Sequence, residues 1–429
     1  MNGGPRCAPG VVVIGGGHAG VQTAETIRKA DPDVDITVLS DEVPAPYQRP
    51  PLSKSLWSTA VETLPLRNRD FFADRRIDLR QGDPVTAIER DHKRVTLRSG
   101  GVLAYRDLVI ATGSRPRRLA LPGADLDGVF YLRDLADATR LHRALRGVRH
   151  LAVLGGGFIG LEVAASSAAV GLQVTVLEAA PRMLARSVSA QTSGRLYDWH
   201  VAQGVRLRAG VRAVGLVGDR DRVTGVVTAD GATVACDAVL IGAGSQPNTE
   251  VALAAGLADE NGVLVDRYLR TGDPAIWSVG DCASFPAADG ARRRLESVQN
   301  AVDQGRRVSA NIVATAQGRD LTAFRAVAWF WSQQASLKLQ IAGVADTTAC
   351  EVYERRYDEK KFSHLLVHEG RLMAVESVNA AADHLAARKL LEVGATIDPV
   401  RAQDVGVPLR TLIPEAGELS PRAAEPASA

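Results

Sequence analysis

The feature that most constrains this chain is one short pattern that occurs twice. VVVIGGGHAG, from Val11 to Gly20, reappears as LAVLGGGFIG, from Leu151 to Gly160. Each copy opens with a short apolar run, β-branched throughout in the first, which suits a strand buried on both faces of a parallel sheet. Each continues as Gly-x-Gly-x-x-Gly, then a run with helical spacing, then a second strand, DITVLS (Asp35 to Ser40) or QVTVLE (Gln173 to Glu178). The three glycines answer separate needs: a tight strand-to-helix turn, close approach of backbone to a pyrophosphate, and close packing of helix on strand. The N–H groups and positive dipole end of the following helix then face an anion. One such loop is a weak signal; two, each between a strand and a helix, predict two dinucleotide-binding β-α-β units.

The rest of the chain arranges itself around these units. DLVIATGSRP (Asp107 to Pro116) follows the first and DAVLIGAGSQPN (Asp237 to Asn248) the second, each a buried strand ending in a glycine turn. Such paired segments suit a chain that crosses between domains. From about Ala326 the pattern changes to short strands, SHLLVHEGRLMAVESV, and a helix, AADHLAARKLLEVG. The expected class is α/β, with two Rossmann-like domains and a C-terminal α+β domain. The first domain is expected to be discontinuous, over 1–118 and 245–325, the second over 119–244, and the third over 326–429, with a disordered tail from about 415.

Composition excludes several classes. Lys plus Arg number 51 against 49 Asp plus Glu, a formal charge of +2, so the whole-chain field does not favour nucleic acid. No apolar run reaches the ~20 residues of a membrane-spanning helix, and the opening MNGGPRCAPG has no apolar signal segment. A cytoplasmic location is expected. Cys7, Cys236, Cys282 and Cys350 are scattered, without C-x-x-C or metal spacing, so neither a disulfide framework nor a metal site is expected.

The two loops are expected to hold different nucleotides. At the end of the second strand of the second unit stands Glu178, whose carboxylate can accept from a ribose 2′-hydroxyl and would repel a 2′-phosphate. This favours NADH over NADPH, with Arg182 close enough to soften the preference. In the first unit the same place is held by Ser40, followed by Asp41 and Glu42.

TGDPAIWSVGDC, from Thr271 to Cys282, resembles the second FAD signature of the pyridine-nucleotide-disulfide oxidoreductase superfamily. By that resemblance Asp281, after Gly280, bonds the ribityl chain of FAD. The redox-disulfide branch needs a C-x-x-C pair that this chain lacks. YQRPPLSK (Tyr47 to Lys54), YLRDLADA (Tyr131 to Ala138), ESVQNAVDQG (Glu296 to Gly305) and WFWSQQ (Trp329 to Gln334) resemble the ferredoxin reductases of oxygenase systems. The likeness runs from Val11 to about Leu412, with Gln333 standing where the family more often has Asp.

The resemblance implies a set of roles. Gly15, Gly17, His18 and Ala19 cradle the FAD pyrophosphate, and Arg49 and Arg133 neutralise it. Ser40, Asp41 or Glu42 meets the ribose, Val85 packs near the adenine, and Ala111, Thr112 and Gly113 line the cofactor. Pro50 and Lys54 stand near the reactive ring, which Val298 and Trp331 contact. Gly155, Gly157, Phe158, Ile159, Gly160, Glu162, Glu178, Arg182 and Gly244 hold the pyridine nucleotide. Lys54 and Glu162 are expected to pair across two domains and, with Trp331, to serve the transfer.

No acid–base triad is needed for such chemistry, which belongs to the cofactor. The implied activity is oxidation of NADH through FAD, with single electrons passed to a [2Fe–2S] ferredoxin that feeds a cytochrome P450 or a ring-hydroxylating dioxygenase. Such ferredoxins are acidic, so a basic face is expected, from Arg67, Arg69, Arg292 to Arg294, Arg306, Arg307, Lys338 and Lys389. Two other readings share the fold: a reductase of rubredoxin or a small acceptor, and a binding flavoprotein resembling apoptosis-inducing factor. Oligomeric state is left open.

Overall fold

The computed structural model describes residues 9–54, 57, 64–287 and 290–413. Cys7 and the tail expected from about 415 lie outside them. The chain divides into two packed units. The first contains the described parts of 9–48, 64–115 and 246–326; the second contains those of 49–63, 116–245 and 327–413.

In the first unit, Val11–Ile14 lies at the centre of a five-stranded sheet, flanked by Ile36–Ser40 and Asp107–Ile110, with Ile77–Gln81 and Ile276–Ser278 at the edges. All four pairings are parallel. Strands buried on both faces carry side chains that are apolar throughout, and Val11, Val12, Val13 and Ile14 are all buried. The helix His18–Ala30 covers one face and packs closely against Val298–Ala316. Gly305 permits that approach, since a Cβ there would stand 2.9 Å from the Ala19 carbonyl oxygen.

The second unit repeats the plan. His150–Leu154 lies between Gln173–Glu178 and Ala238–Ile241, with Arg206–Ala209 and Val129–Phe130 outside them. The C-terminal segment adds a second, antiparallel sheet of Trp329–Gln334, Leu337–Gly343, Glu351–Arg356, Phe362–His368 and Arg371–Val378, covered by the helix Ala381–Glu392. This sheet belongs to the same packed unit as the second nucleotide fold. Buried polar side chains join them. The Glu376 carboxylate accepts from the Ser189 N–H at 2.7 Å and from its hydroxyl at 2.6 Å, and His364 Nδ1 lies 2.6 Å from Thr192 Oγ1.

Three histidines of this unit are held uncharged by burial. Loss of solvent lowers His364 and His384 from 6.5 to about 4, and lowers His200 as well. A base depressed on folding contributes stability that is present above its unfolded pKa and lost as pH falls through its folded value. Stability is therefore expected to drop between pH 6.5 and about 4, by up to about 1.4 kcal/mol per pH unit for each histidine. Burial pushes Glu376 the other way, so its contribution is largest at low pH and offsets part of the loss. Urea unfolding midpoints at stepped pH check this: a flat profile over that window contradicts it.

Candidate functional site

The first glycine loop meets all three of its requirements. Gly15 adopts φ +122°, and a Cβ there would stand 2.2 Å from the Ala111 carbonyl oxygen. A Cβ on Gly20 would stand 2.0 Å from the Gly15 carbonyl oxygen. Gly17 is different: at φ −80° it is the N-cap of the helix, no side chain caps that end, and a Cβ would meet nothing within 4 Å. Two glycines hold the turn together, and the third leaves open space before helical N–H donors, which is what a pyrophosphate requires.

Around this loop stand the other residues assigned to the first nucleotide. Ser40 is buried, its hydroxyl accepting from the Glu42 N–H, while Asp41 is exposed. Val85 is buried in Val85–Glu89. Ala111, Thr112 and Gly113 follow the strand Asp107–Ile110 beside Gly15, and Asn248, which sequence reasoning did not single out, clamps Thr112. Its Nδ2 donates to the Thr112 carbonyl at 2.9 Å and its own carbonyl accepts from the Thr112 hydroxyl at 2.6 Å. Gly280, at φ +80°, donates its N–H to the buried Gln304 Oε1 and lies against Ala19. Asp281 accepts from the Ser114 hydroxyl at 3.0 Å, and its carbonyl accepts from Arg294. Val298 opens its helix just after the Ser297 cap.

The second loop has the same geometry. Gly155 adopts φ +110° with a Cβ position 2.5 Å from the Gly242 carbonyl oxygen; on Gly160 it would be 2.1 Å from the Gly155 carbonyl oxygen; at Gly157 it meets nothing. Phe158 packs edge-on to Phe330, Ile159 is exposed, and Gly244 takes φ +96°. Glu178 ends its strand beside the loop and fixes it, accepting from the Gly156 N–H at 2.6 Å and the Ala180 N–H at 2.7 Å. Each oxygen keeps a lone pair for a further donor. The Arg182 guanidinium is engaged by the carbonyls of Ala185, Val188 and Ser189, which ties it inside the fold.

Lys54 and Glu162 do meet, at 2.8 Å. Both belong to the second unit, which takes in the described residues of 49–63, so the pair lies inside one unit instead of bridging two. Glu162 is 1% exposed. Its Oε1 accepts from Lys54, the Ser332 hydroxyl at 2.6 Å and the Gln333 N–H at 3.3 Å, and its Oε2 from the Ser53 hydroxyl at 2.5 Å. Pro50 begins the approach to this segment, and Arg49 donates to the Arg133 carbonyl at 3.3 Å, which brings two expected phosphate ligands together. Trp331 is half-buried, its ring 5.7 Å from that of Trp329.

The cations expected on a basic face differ in their engagement. Arg292 donates to the carbonyls of Val265 and Ser284, Arg294 to Asp281 and Glu296, and Arg67 pairs with Glu25 at 2.5 Å. Of these Arg292 is exposed, and Arg67 and Arg294 are half-buried. Arg306, Lys338 and Lys389 are exposed and Arg307 half-buried. Cys236 is buried and its thiol is pushed up to about 12, mainly by burial, which suits an inert side chain. Among the described residues no helix is long and apolar enough to cross a membrane.

Comparisons with known proteins agree with this geometry. Residues 9–305 match the family model of the pyridine nucleotide-disulphide oxidoreductases, and residues 329–413 match the model described as reductase C-terminal. Rhodocoxin reductase of Rhodococcus erythropolis is 42% identical over 94% of each chain. The crystal structure of the ferredoxin reductase for the CYP199A2 system from Rhodopseudomonas palustris superposes with a TM-score of 0.90 at 41% identity, over 94% of this chain and 100% of that one. The reductase of the covalent putidaredoxin reductase–putidaredoxin complex superposes with a TM-score of 0.89 at 34% identity, over 96% and 100%.

Proposed function

The chain belongs to the pyridine nucleotide-disulphide oxidoreductase family, and we propose from that premise that it is an NADH-dependent reductase of a [2Fe–2S] ferredoxin that supplies a cytochrome P450 or a ring-hydroxylating dioxygenase. The observation that carries this reading is the pair of glycine loops, one in each unit, each leaving space for a diphosphate at the same glycine. FAD is assigned to the first loop and NADH to the second. When bound, FAD takes up two electrons together and releases them singly.

The chain's own residues bind and orient. Gly15, Gly17, His18 and Ala19 hold the FAD diphosphate, with Arg49 and Arg133 supplying positive charge. Asp281, oriented by Ser114, accepts from the ribityl hydroxyls. Glu162 and Lys54 position the nicotinamide, with Trp331 stacking on the flavin. Glu178 selects NADH. Glu178→Ala is expected to lower the ratio of kcat/KM for NADH over NADPH by about ten-fold, about 1.4 kcal/mol. Steady-state kinetics with both nucleotides check this, and an unchanged ratio removes Glu178 from the role.

The acceptor is tested separately. Arg306 and Arg307, with Lys338 and Lys389, are proposed as basic contacts for an acidic ferredoxin. Reversing charge at Arg306 and Arg307 is expected to lower kcat/KM for a [2Fe–2S] ferredoxin about ten-fold, more at low salt, while reduction of ferricyanide is unchanged. Equal loss of both activities contradicts the docking role, and preferred turnover of rubredoxin contradicts the ferredoxin assignment. A cytoplasmic location accords with an enzyme of this kind.

A further inference from the structure

Behind Glu162 the hydrogen bonds continue into the unit. The Ser332 hydroxyl, 2.6 Å from Glu162 Oε1, also lies 3.2 Å from Gln334 Nε2. Gln334 Oε1 in turn lies 2.8 Å from His200 Nε2. Ser332, Gln334 and His200 are each fully buried, and His200 Nδ1 has no hydrogen-bond partner among the described residues. The chain links the helix Phe158–Ala169, the strand Trp329–Gln334 and the helix Ala190–Ala202.

Its direction follows from proton counting. Glu162 is acceptor-only, so the one hydroxyl proton of Ser332 goes to it. The Gln334 atom facing Ser332 must then be a donor, which is its NH2 group. Gln334 Oε1 is left to face His200, and it can only accept. His200 Nε2 must therefore carry hydrogen. A neutral imidazole has one N–H, so Nδ1 is bare, as its lack of any donor or acceptor partner allows. Burial keeps the ring neutral. Each member is locked by the next: without a donor at 200, the Gln334 amide is free to turn, and its NH2 no longer holds the Ser332 oxygen in line with the carboxylate.

We infer that Gln334 and His200 are positioning residues that hold the Ser332 hydroxyl as a donor to Glu162, and so fix the carboxylate of the Lys54–Glu162 pair. The inference rests on reading Glu162 as the residue that positions the nicotinamide. It assigns no contact between His200 and either nucleotide.

The test uses the FAD-loaded enzyme and three variants. His200→Leu removes the donor at similar volume; His200→Gln restores an N–H at the place of Nε2; Glu162→Gln tests the reading beneath. Stopped-flow mixing with NADH separates nucleotide affinity from the rate of flavin bleaching. His200→Leu is expected to slow bleaching about five-fold, the worth of one lost hydrogen bond, with NADH affinity unchanged, and His200→Gln is expected to restore it. If Glu162→Gln bleaches like the parent, the reading of Glu162 falls. If it bleaches slowly while His200→Leu matches the parent, that reading stands and the positioning role falls. A readout independent of activity is the tautomer of His200 in the 15N-histidine-labelled parent enzyme. The Nε2–H form is expected, with a slowly exchanging proton; an Nδ1–H or doubly protonated ring overturns the inference, even where His200→Leu fails to fold.

Discussion

Gly17→Asp is expected to give a folded, colourless protein, whereas Gly157→Asp is expected to give a yellow protein that NADH no longer bleaches. The reasoning is geometric. A side chain at either glycine enters open space, since a Cβ there meets nothing within 4 Å. Both residues are uncapped helix N-caps, and aspartate is among the best residues for that place. Stability should thus be kept or raised. The carboxylate, however, stands where the diphosphate would go and takes its N–H donors. The affinity for the resident nucleotide is expected to fall at least about 100-fold, about 2.7 kcal/mol. Gly20→Ala is the contrasting change: its Cβ would stand 2.0 Å from the Gly15 carbonyl oxygen, so the fold itself must suffer. Flavin absorbance after purification, thermal melts and NADH titration separate these outcomes. Retention of FAD by Gly17→Asp at parental affinity contradicts the assignment of the first loop.

Arg355→Met is expected to cost about 3–5 kcal/mol, the range for stranding one partner of a buried ion pair. Arg355 is wholly buried. Its guanidinium pairs with Asp383 at 3.4 Å and donates to the carbonyls of Ala402, Asp404 and Val407. It therefore ties the segment after Pro399 to the C-terminal sheet. Methionine fills most of the volume, but leaves the buried Asp383 carboxylate without its cation and takes a donor from three carbonyls, of which that of Asp404 keeps the Val407 N–H. Arg355→Met with Asp383→Asn should recover part of the loss, because the second change removes the stranded charge. Urea unfolding of the parent, the single variant and the pair checks both statements. A cost under about 1 kcal/mol is what an exposed pair would give and contradicts this account.

The nucleotide folds were legible because their physics is local. Gly15, Gly17 and Gly20 stand within six residues and between a strand and a helix, so turn, donor cluster and packing all leave marks in one short segment. The Asp281 signature is readable for the same reason. The environment of Glu162 was legible only in part. Lys54 could be proposed from a motif, but Ser53, Ser332, Gln334 and His200 come from segments far apart in sequence. No periodicity reports which serine a buried carboxylate will find. Charge clusters tell only part of what their members do. Arg292 to Arg294 are expected on a surface patch, and Arg292 is exposed; Arg292 and Arg294 also satisfy the Val265 and Asp281 carbonyls, a need that appears only once the backbone is folded. Glu178 is expected from the sequence at the ribose; in the fold it satisfies the N–H of Gly156 in the second glycine loop and that of Ala180 just after its own strand.

The central claim is that one chain holds FAD and oxidises NADH with it on behalf of an iron–sulfur protein. The most direct test mixes the purified, FAD-loaded protein anaerobically with NADH in a stopped-flow instrument, then with an oxidised [2Fe–2S] ferredoxin. The expected result is rapid bleaching of the flavin, saturable in NADH, followed by return of its absorbance as the ferredoxin is reduced. A protein that takes up no FAD, or whose flavin stays oxidised under saturating NADH, contradicts the account.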